Sequence, residues 1–462
     1  MLKEILYWQW ALVIGLGLLM WFLAPRAREL TAFFSATQKD GQQPGFWMLA
    51  SSLVISWIFA KSITNAANLG LSFGLVGGVA YAGYYLSFVV AGWVIYQLRT
   101  RGGFHSIHHF LQSRFGRGAV WVFSLLIAFR LFNEVWSNTM VIGSYFGAAG
   151  SGGYYAAVLV FTALTLAYTL KGGLSSSLLT DAIQMLLFGV LLAIILGVII
   201  PRSGGQVSAF LGSGEWTLAT GVNLLWVAVL QSLSYPFHDP VLTDRGFISP
   251  PKLTLKAYLW AAVVGAVCIM LFSFVGIFGQ MEGLSGQAPV EVSKLLGVGI
   301  MLVMNVIMIT SAASTLDSTF SSSAKLWVVD LGKSGEATVS KGRWAMAVVA
   351  LLGTLPVFAG PEILSATTIS GTMVIGLAPI FLGWWLKAPP LSFYLAVGAG
   401  VATGVVLAMG YWPDAWTWFP GKYGDLLSAN LVGTGCCVFF YFIPYGWSIY
   451  GKRKNYPVAG RA

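Results

Sequence analysis

Apolar stretches of roughly 17–25 residues recur from one end of this chain to the other, and that recurrence limits the fold more than any motif does. Each is long enough to cross the hydrocarbon core of a bilayer as a helix, where the backbone must satisfy its own hydrogen bonds. About thirteen spans follow, at 5–24, 46–72, 74–98, 119–148, 154–170, 174–200, 217–238, 257–279, 298–329, 343–359, 362–385, 390–410 and 426–449. A β-barrel would instead alternate in segments of about ten residues, a pattern the sequence lacks. Charged residues make up 9% of the chain, against about 25% in soluble proteins. The chain reads as an all-α polytopic membrane protein.

The net charge of +10 is a topology signal rather than a nucleic-acid one. With the N-terminus outside, the cytoplasmic loops and C-terminal tail hold 19 of the 26 Lys and Arg residues. The outer segments hold Lys3, Arg202, Lys294 and Lys422. That asymmetry predicts a multi-pass protein of the cell membrane (plasma or inner) with a cytoplasmic C-terminus, whose partners are the lipid bilayer and no nucleic acid. The first span is followed by PRAREL without a small-residue cleavage site and reads as a retained helix. Cys268, Cys436 and Cys437 lie in apolar runs, so neither a disulfide framework nor a metal site is expected. His105, His108 and His109 share a basic loop without acid or cysteine, which favours an interfacial helix over metal binding.

Six charges fall inside spans: Lys61, Arg130, Lys325, Glu134, Asp181 and Asp317. Each costs at least ~2.5–3.5 kcal/mol at the bilayer centre, so each asks for a partner or a task. Lys325 lies near a span end and is expected to snorkel. Arg130 and Glu134 are four apart on one helix and are placed to pair. Lys61, Asp181 and Asp317 have no neutralising neighbour in their own spans.

The ninth span runs from VGIMLVMNVIMIT straight into SAASTLDSTFSSSAK. On a helix, Ser311, Ser314, Thr315, Ser318 and Ser322 fall within an arc of roughly 100°, with Asp317 at its flank. Small hydroxyl residues suit close helix packing, but packing does not explain the aspartate. Hydroxyl and carbonyl oxygens are the ligands a hard monovalent cation needs, so a Na+ site is the sharper reading. A broken helix would supply the carbonyls. LVISWIFAKSITNAANLGLSFG (53–74) turns polar at Lys61 and is expected to unwind near 56–65; LWVAVLQSLSYPFHDP loses its apolar run at Gln231 and meets Pro236. The two interrupted spans are five apart, so repeats over spans 2–6 and 7–11 would be inverted in the membrane. The expected organisation is an N-terminal helix and linker at 1–45, repeats at 46–200 and 201–385, and two C-terminal helices with a basic tail at 386–462.

Four stretches then carry a family resemblance: FLQSRFG (110–116), GGLSSSLLTDAIQ (172–184), DRGFISPPKLTLKA (244–257) and SAASTLDSTFSSSAKLWVVD (311–330). Over roughly residues 46–385 the chain resembles the sodium/solute symporter family, relatives of the sodium/galactose and sodium/proline carriers. The resemblance implies a LeuT-like core of two inverted five-helix repeats and secondary active transport driven by sodium. It implies a sodium site made by Ser314 and Thr315, an oxygen of Ser311, and the carbonyls of Ile55 and Ile58. Asp181 matches an aspartate that lies near the family's sodium sites, so a second sodium or a proton is expected between it and the hydroxyl helix, beside Asp317.

Lys61 departs from the pattern and has three readings: a pair with Glu134, a seat for an anionic substrate such as a carboxylate, or a substitute for a bound ion. Asn65, Glu134, Trp136, Asn138, Gln231, Ser234 and Tyr235 complete the expected substrate cavity around it. The expected function is sodium-coupled symport of a small polar or anionic metabolite by alternating access. The alternatives are a proton-coupled carrier or exchanger of the same fold, and a sensor built on a transporter-like domain. No catalytic motif is present, so the chain is not read as an enzyme. Na+ is the ion expected, with no other metal or cofactor; the sequence carries no signal for oligomeric state.

Overall fold

The computed structural model describes residues 2–36, 43–332, 335–361 and 363–454. All regular structure among them is helical: α1 (Leu2–Leu23), α2 (Leu30–Ser35), α3 (Phe46–Ile55), α4 (Ala60–Phe73), α5 (Leu75–Ala82), α6 (Leu86–Thr100), α7 (Ile107–Phe115), α8 (Arg117–Gly143), α9 (Gly152–Gly172), α10 (Leu174–Arg202), α11 (Val207–Leu211), α12 (Val222–Ser232), α13 (Pro240–Arg245), α14 (Pro251–Met281), α15 (Ala288–Leu296), α16 (Val298–Lys325), α17 (Val339–Thr354), α18 (Ser365–Met373), α19 (Leu377–Leu382), α20 (Pro390–Ala408) and α21 (Gly424–Lys454).

Among the described residues, ten helical segments are long and apolar enough to cross a membrane, and α3 with α4 makes an eleventh, bent by 56°. The expected count of about thirteen is not reached by that measure. Span 217–238 appears as α12 followed by a single 3-10 turn at Tyr235–His238, and span 362–385 as the short helices α18 and α19.

The break in the second span covers residues 56–59, four residues rather than the expected 56–65. Phe59 is extended, with φ −60° and ψ 148°, and the helix resumes at Ala60. Asn65 and Asn68 therefore sit inside α4. Their amides are used by other elements instead of competing with the helix: Asn65 Nδ2 donates to Tyr81 Oη at 3.3 Å, and the Ala288 N–H donates to Asn68 Oδ1 at 2.8 Å. The second break has a local cause in its sequence. Asp239 is the N-cap of α13, accepting the Leu242 N–H, and Pro240 fills the first helical position where no N–H is needed.

Around these breaks the long helices close. α14 packs along α3, α4, α5 and α6, while α16 packs against α3, α4, α8, α9, α10 and α17. The crossing of α4 with α14 is a backbone contact. A Cβ on Gly276 would overlap the Ala67 carbonyl oxygen, and one on Gly70 would overlap that of Ser273. Close approach through glycine is how membrane helices gain packing energy without a hydrophobic drive. α1 lies outside this core against α9 and α16, and α20 pairs with α21.

Candidate functional site

The hydroxyl stripe of α16 faces α3 and α10 at the first helix break. Ser314 Oγ donates to Asp181 Oδ1 at 2.5 Å, and Ser52 and Ser56 donate to Asp181 Oδ2 at 2.5 and 3.2 Å. Arg245, at the end of α13, places Nη2 2.9 Å from Asp181 Oδ2 and 2.8 Å from Ser318 Oγ, with Nε donating to Ser52 at 2.6 Å. Asp317 receives hydroxyl protons from Tyr168, Ser177 and Thr180 at 2.8, 2.8 and 2.9 Å. Ser177 and Ser318, 2.9 Å apart, join the two acids into one buried network. Every proton-bearing group here is a hydroxyl or the one guanidinium, which suits a carboxylate in a dry interior.

Other oxygens of α16 and of the α3–α4 break lack such partners. Among the described residues, no hydrogen bond reaches the carbonyls of Ile55 or Ile58, and Ser311 Oγ is buried and unpartnered. Thr315 Oγ1 donates to the Ser311 carbonyl at 2.9 Å, leaving its own lone pairs free. Carbonyl and hydroxyl oxygens are the donor type that a hard cation takes.

A second cluster spans both breaks. Lys61 Nζ lies 2.6 Å from Glu134 Oε1; Glu134 also pairs with Arg130; and Arg130 Nη2 lies 3.0 Å from Asp239 Oδ2. Trp57 Nε1 closes the chain by donating to Asp239 Oδ2 at 3.0 Å. Asn138 Nδ2 donates to Glu134 Oε2 at 2.9 Å, and Asn138 Oδ1 accepts the Lys61 N–H at 3.2 Å. Two cations and two acids alternate from α4 through α8 to α13, all of them buried. The pair with Glu134, the first of the three readings of Lys61, is present. The i,i+4 pair of Arg130 and Glu134 is present, and it is the middle of a longer chain.

The remaining expected cavity residues divide. Tyr235, Trp57, Phe59, Ser62, Tyr81, Tyr84, Tyr85 and Thr367 line a small cavity of about 20 Å³ between the two breaks. Gln231 is committed elsewhere. It accepts from Tyr84 Oη at 2.9 Å, and Nε2 faces the Thr368 carbonyl, Thr372 Oγ1 and Asn430 Oδ1 at 3.0–3.2 Å. Ser234 Oγ donates to the Gln231 carbonyl at 3.2 Å. Trp136 is not in the cavity. Two residues on from Glu134, it points to the other side of α8, packs with Tyr154, Val158 and Val357, and donates to Asn133 Oδ1 at 3.1 Å.

Residues 40–241 match the Sodium:solute symporter family. The match covers less than half of the chain. Among curated relatives, Sodium/glucose cotransporter 1 of Oryctolagus cuniculus is 26% identical over 205 residues, covering 41% of this chain and 30% of that protein. Sodium/glucose cotransporter 2 of Rattus norvegicus is 28% identical over 207 residues, covering 43% and 29%. The aligned part of the chain thus spans about 30% of the length of the curated relatives it matches. Among solved structures, a substrate-bound, outward-open Na+-coupled sialic acid symporter superposes with a TM-score of 0.74 at 14% identity, over 95% of this chain and 98% of that one. MhsT in complex with L-phenylalanine superposes at 0.54 and 15% identity, over 86% and 97%. These likenesses establish the LeuT-like fold.

Several buried residues of these clusters lie beyond what the hydropathy pattern points to. Arg245, Asp239 and Asp244 are buried. A seventh span ending at 238 leaves them in a loop; the turn at Tyr235–His238 and the capped helix α13 fold them inward instead. The Asp-Pro pair at 239–240 is the available signal. Lys325 pairs with Asp244 and lies 3.5 Å from Asp330 Oδ2. His108 faces the same basin, with Nδ1 3.7 Å from Asp330 Oδ2 and Nε2 3.3 Å from Ser124 Oγ, and burial holds its pKa below the usual histidine value. Among the described residues, no group of three or more His, Cys, Asp or Glu stands where it could hold a metal ion.

Proposed function

We propose that this chain is a sodium-coupled secondary transporter that carries a small organic solute across the membrane by alternating access, with its N-terminus outside. The reading takes Ile55, Ile58, Ser311, Ser314 and Thr315 as the sodium ligands. The observation that carries it is the buried, unpartnered hydroxyl of Ser311 on the stripe of α16, together with the two carbonyls at the α3–α4 break that accept no hydrogen bond among the described residues. A buried polar oxygen without a partner is costly, and a bound cation removes that cost. Residues 46–200 and 201–385 are read as inverted repeats. Their breaks at 56–59 and 233–239 then occupy corresponding positions, and moving α3–α4 and α12–α13 against α8 and α16 would open the centre to either side.

The test is thermal stability of the purified protein in sodium chloride against potassium chloride at equal ionic strength, for wild type and Thr315→Ala. A ligand of the folded state stabilises by RT ln(1 + [L]/Kd), about 1.4 kcal/mol at ten times Kd. The reading expects sodium-specific stabilisation that the variant loses. No response of the wild type to sodium would overturn it.

One observation favours a second reading. Asp317 is buried and makes no ion pair among the described residues; hydroxyl donors alone face its two oxygens, so no fixed cation competes with a proton there. Proton coupling through Asp317 predicts acid-driven uptake with sodium absent.

A further inference from the structure

The cavity between the two helix breaks has walls of unusual composition. Six aromatic rings line it: Trp57 and Phe59 from the first break, Tyr81 from α5, Tyr84 and Tyr85 from the 3-10 turn after it, and Tyr235 from the second break. The rings do not form a slot. Trp57 stands at 88° to Tyr235 with centroids 5.9 Å apart, and at 81° to Tyr85 at 6.0 Å. Tyr84 meets Tyr235 at 58° and Tyr81 at 59°, with centroids 6.0 and 5.6 Å apart. A flat ring stacks best between parallel faces, which this box lacks. A rounded cation is attracted to several ring faces at once.

The polar groups point the same way. Tyr84 Oη is spent on Gln231, Tyr85 Oη on the Trp57 carbonyl at 2.9 Å, and Tyr81 Oη on Ser62 and Asn65. Two buried hydroxyls on the cavity wall, Tyr235 Oη and Thr367 Oγ1, face each other and have no other partner among the described residues. No charged side chain among those residues lines the cavity. An anion would meet the negative faces of the rings without a base, and a polyhydroxyl sugar would find few free partners. Lys61 and Arg130 stand over Phe59 at 5.0 and 5.4 Å, and Arg130 over Tyr235 at 5.1 Å, but Glu134 and Asp239 balance their charge. The wall they back is neutral overall.

We infer that the cavity is an aromatic cage for a methylated ammonium headgroup, and that the transported solute carries one. This rests on the symporter reading above and narrows its substrate class. In this conformation the cavity has room for one water, so the headgroup enters as Tyr235 and its turn move outward, a motion that alternating access supplies. Tyr235 and Thr367 then bind the polar remainder of the solute: an alcohol if it is choline-like, a carboxylate if it is betaine-like.

The experiment uses the purified full chain with potassium chloride as the sodium replacement, because choline salts carry the group under test. Tryptophan fluorescence and thermal stability are followed with tetramethylammonium, choline, glycine betaine, galactose and pyruvate, each with and without sodium. The expected result is saturable binding of the methylated ammonium compounds and none of galactose or pyruvate. Affinity for tetramethylammonium, which has no polar remainder for the Tyr235 hydroxyl to bind, should fall about tenfold or more in Tyr235→Leu and hold within about twofold in Tyr235→Phe, which keeps the ring. Binding of choline alone or betaine alone supports the cage and names the solute's other end. If sodium stabilises the protein while every methylated ammonium compound is inert, the cage is wrong and the symporter reading stands. Ammonium binding without any sodium response would keep the cage and overturn the sodium coupling. Equal loss of tetramethylammonium affinity in Tyr235→Phe and Tyr235→Leu also overturns the cage, since a hydroxyl rather than a ring would then carry the binding.

Discussion

Ser314 Oγ donates its proton to Asp181 Oδ1 across 2.5 Å, so a hydroxyl assigned to the sodium site also contacts the acid that pairs with Arg245. Donation leaves the lone pairs of that oxygen free and makes them more negative, which improves it as a cation ligand. Neutralising the acid in Asp181→Asn is expected to weaken sodium affinity about tenfold, the scale of one lost charge-assisted contact. A sodium titration followed by tryptophan fluorescence would read it. An unchanged midpoint would separate Asp181 from the ion.

The alternating chain from Lys61 to Asp239 predicts an asymmetry. Glu134 touches both cations, so Glu134→Gln leaves Lys61 and Arg130 facing each other with Asp239 as the one remaining acid. Breaking a buried pair in that way costs about 3–5 kcal/mol. Lys61→Met removes an end of the chain and leaves Glu134 paired with Arg130, so it should cost less. The double variant should return to about the level of Lys61→Met. Denaturation midpoints in one detergent would decide it; equal losses in the two single variants would mean the four charges do not act as a chain.

At the crossing of α4 with α14, Gly276→Ala has no room, because the new methyl would overlap the Ala67 carbonyl. The expected loss is about 1–3 kcal/mol, from overpacking against backbone that cannot yield. Gly299→Ala on α16 meets nothing within 4 Å and serves as the control. A melting temperature for Gly276→Ala equal to that of the control would refute the close crossing.

His108 predicts a pH dependence. Burial lowers its pKa most, Lys325 lowers it further, and Asp330 and Asp244 oppose both. The folded state then binds fewer protons at this ring than the unfolded chain does. Stability contributed by the neutral ring is present above the unfolded value of about 6.5 and declines as pH falls below it. Between pH of about 7.5 and 5.5, the melting temperature of wild type should fall by more than that of His108→Gln.

Much of the fold is written in hydropathy, because hydrocarbon leaves few ways to satisfy a backbone. The hydroxyl stripe of α16 is legible for the same reason, since periodicity places Ser311, Ser314, Thr315 and Ser318 on one face. Trp136 is misplaced when the polar patch from Asn133 to Asn138 is read as one face, because a helix divides it between two. Arg245 and Asp239 stay hidden because hydropathy reports where an apolar run ends and is silent on whether the chain then turns back inward. The aromatic cage is out of reach of periodicity altogether: its rings come from separate elements, and only tertiary packing brings them together.

The tie between Gln231 and Asn430 changes the standing of the last two helices. Gln231 sits at the second break, and Asn430 belongs to α21, almost two hundred residues later. Asn430 Nδ2 also donates to Thr372 Oγ1 at 3.0 Å, so one side chain from the final helix fastens α12 to α18. A chain trimmed before α20 would lose no residue proposed for the ion site, yet it would strand the buried Gln231 amide, where the loss of one partner costs about 1–3 kcal/mol. Shortening this protein from its end would therefore be felt first in its middle.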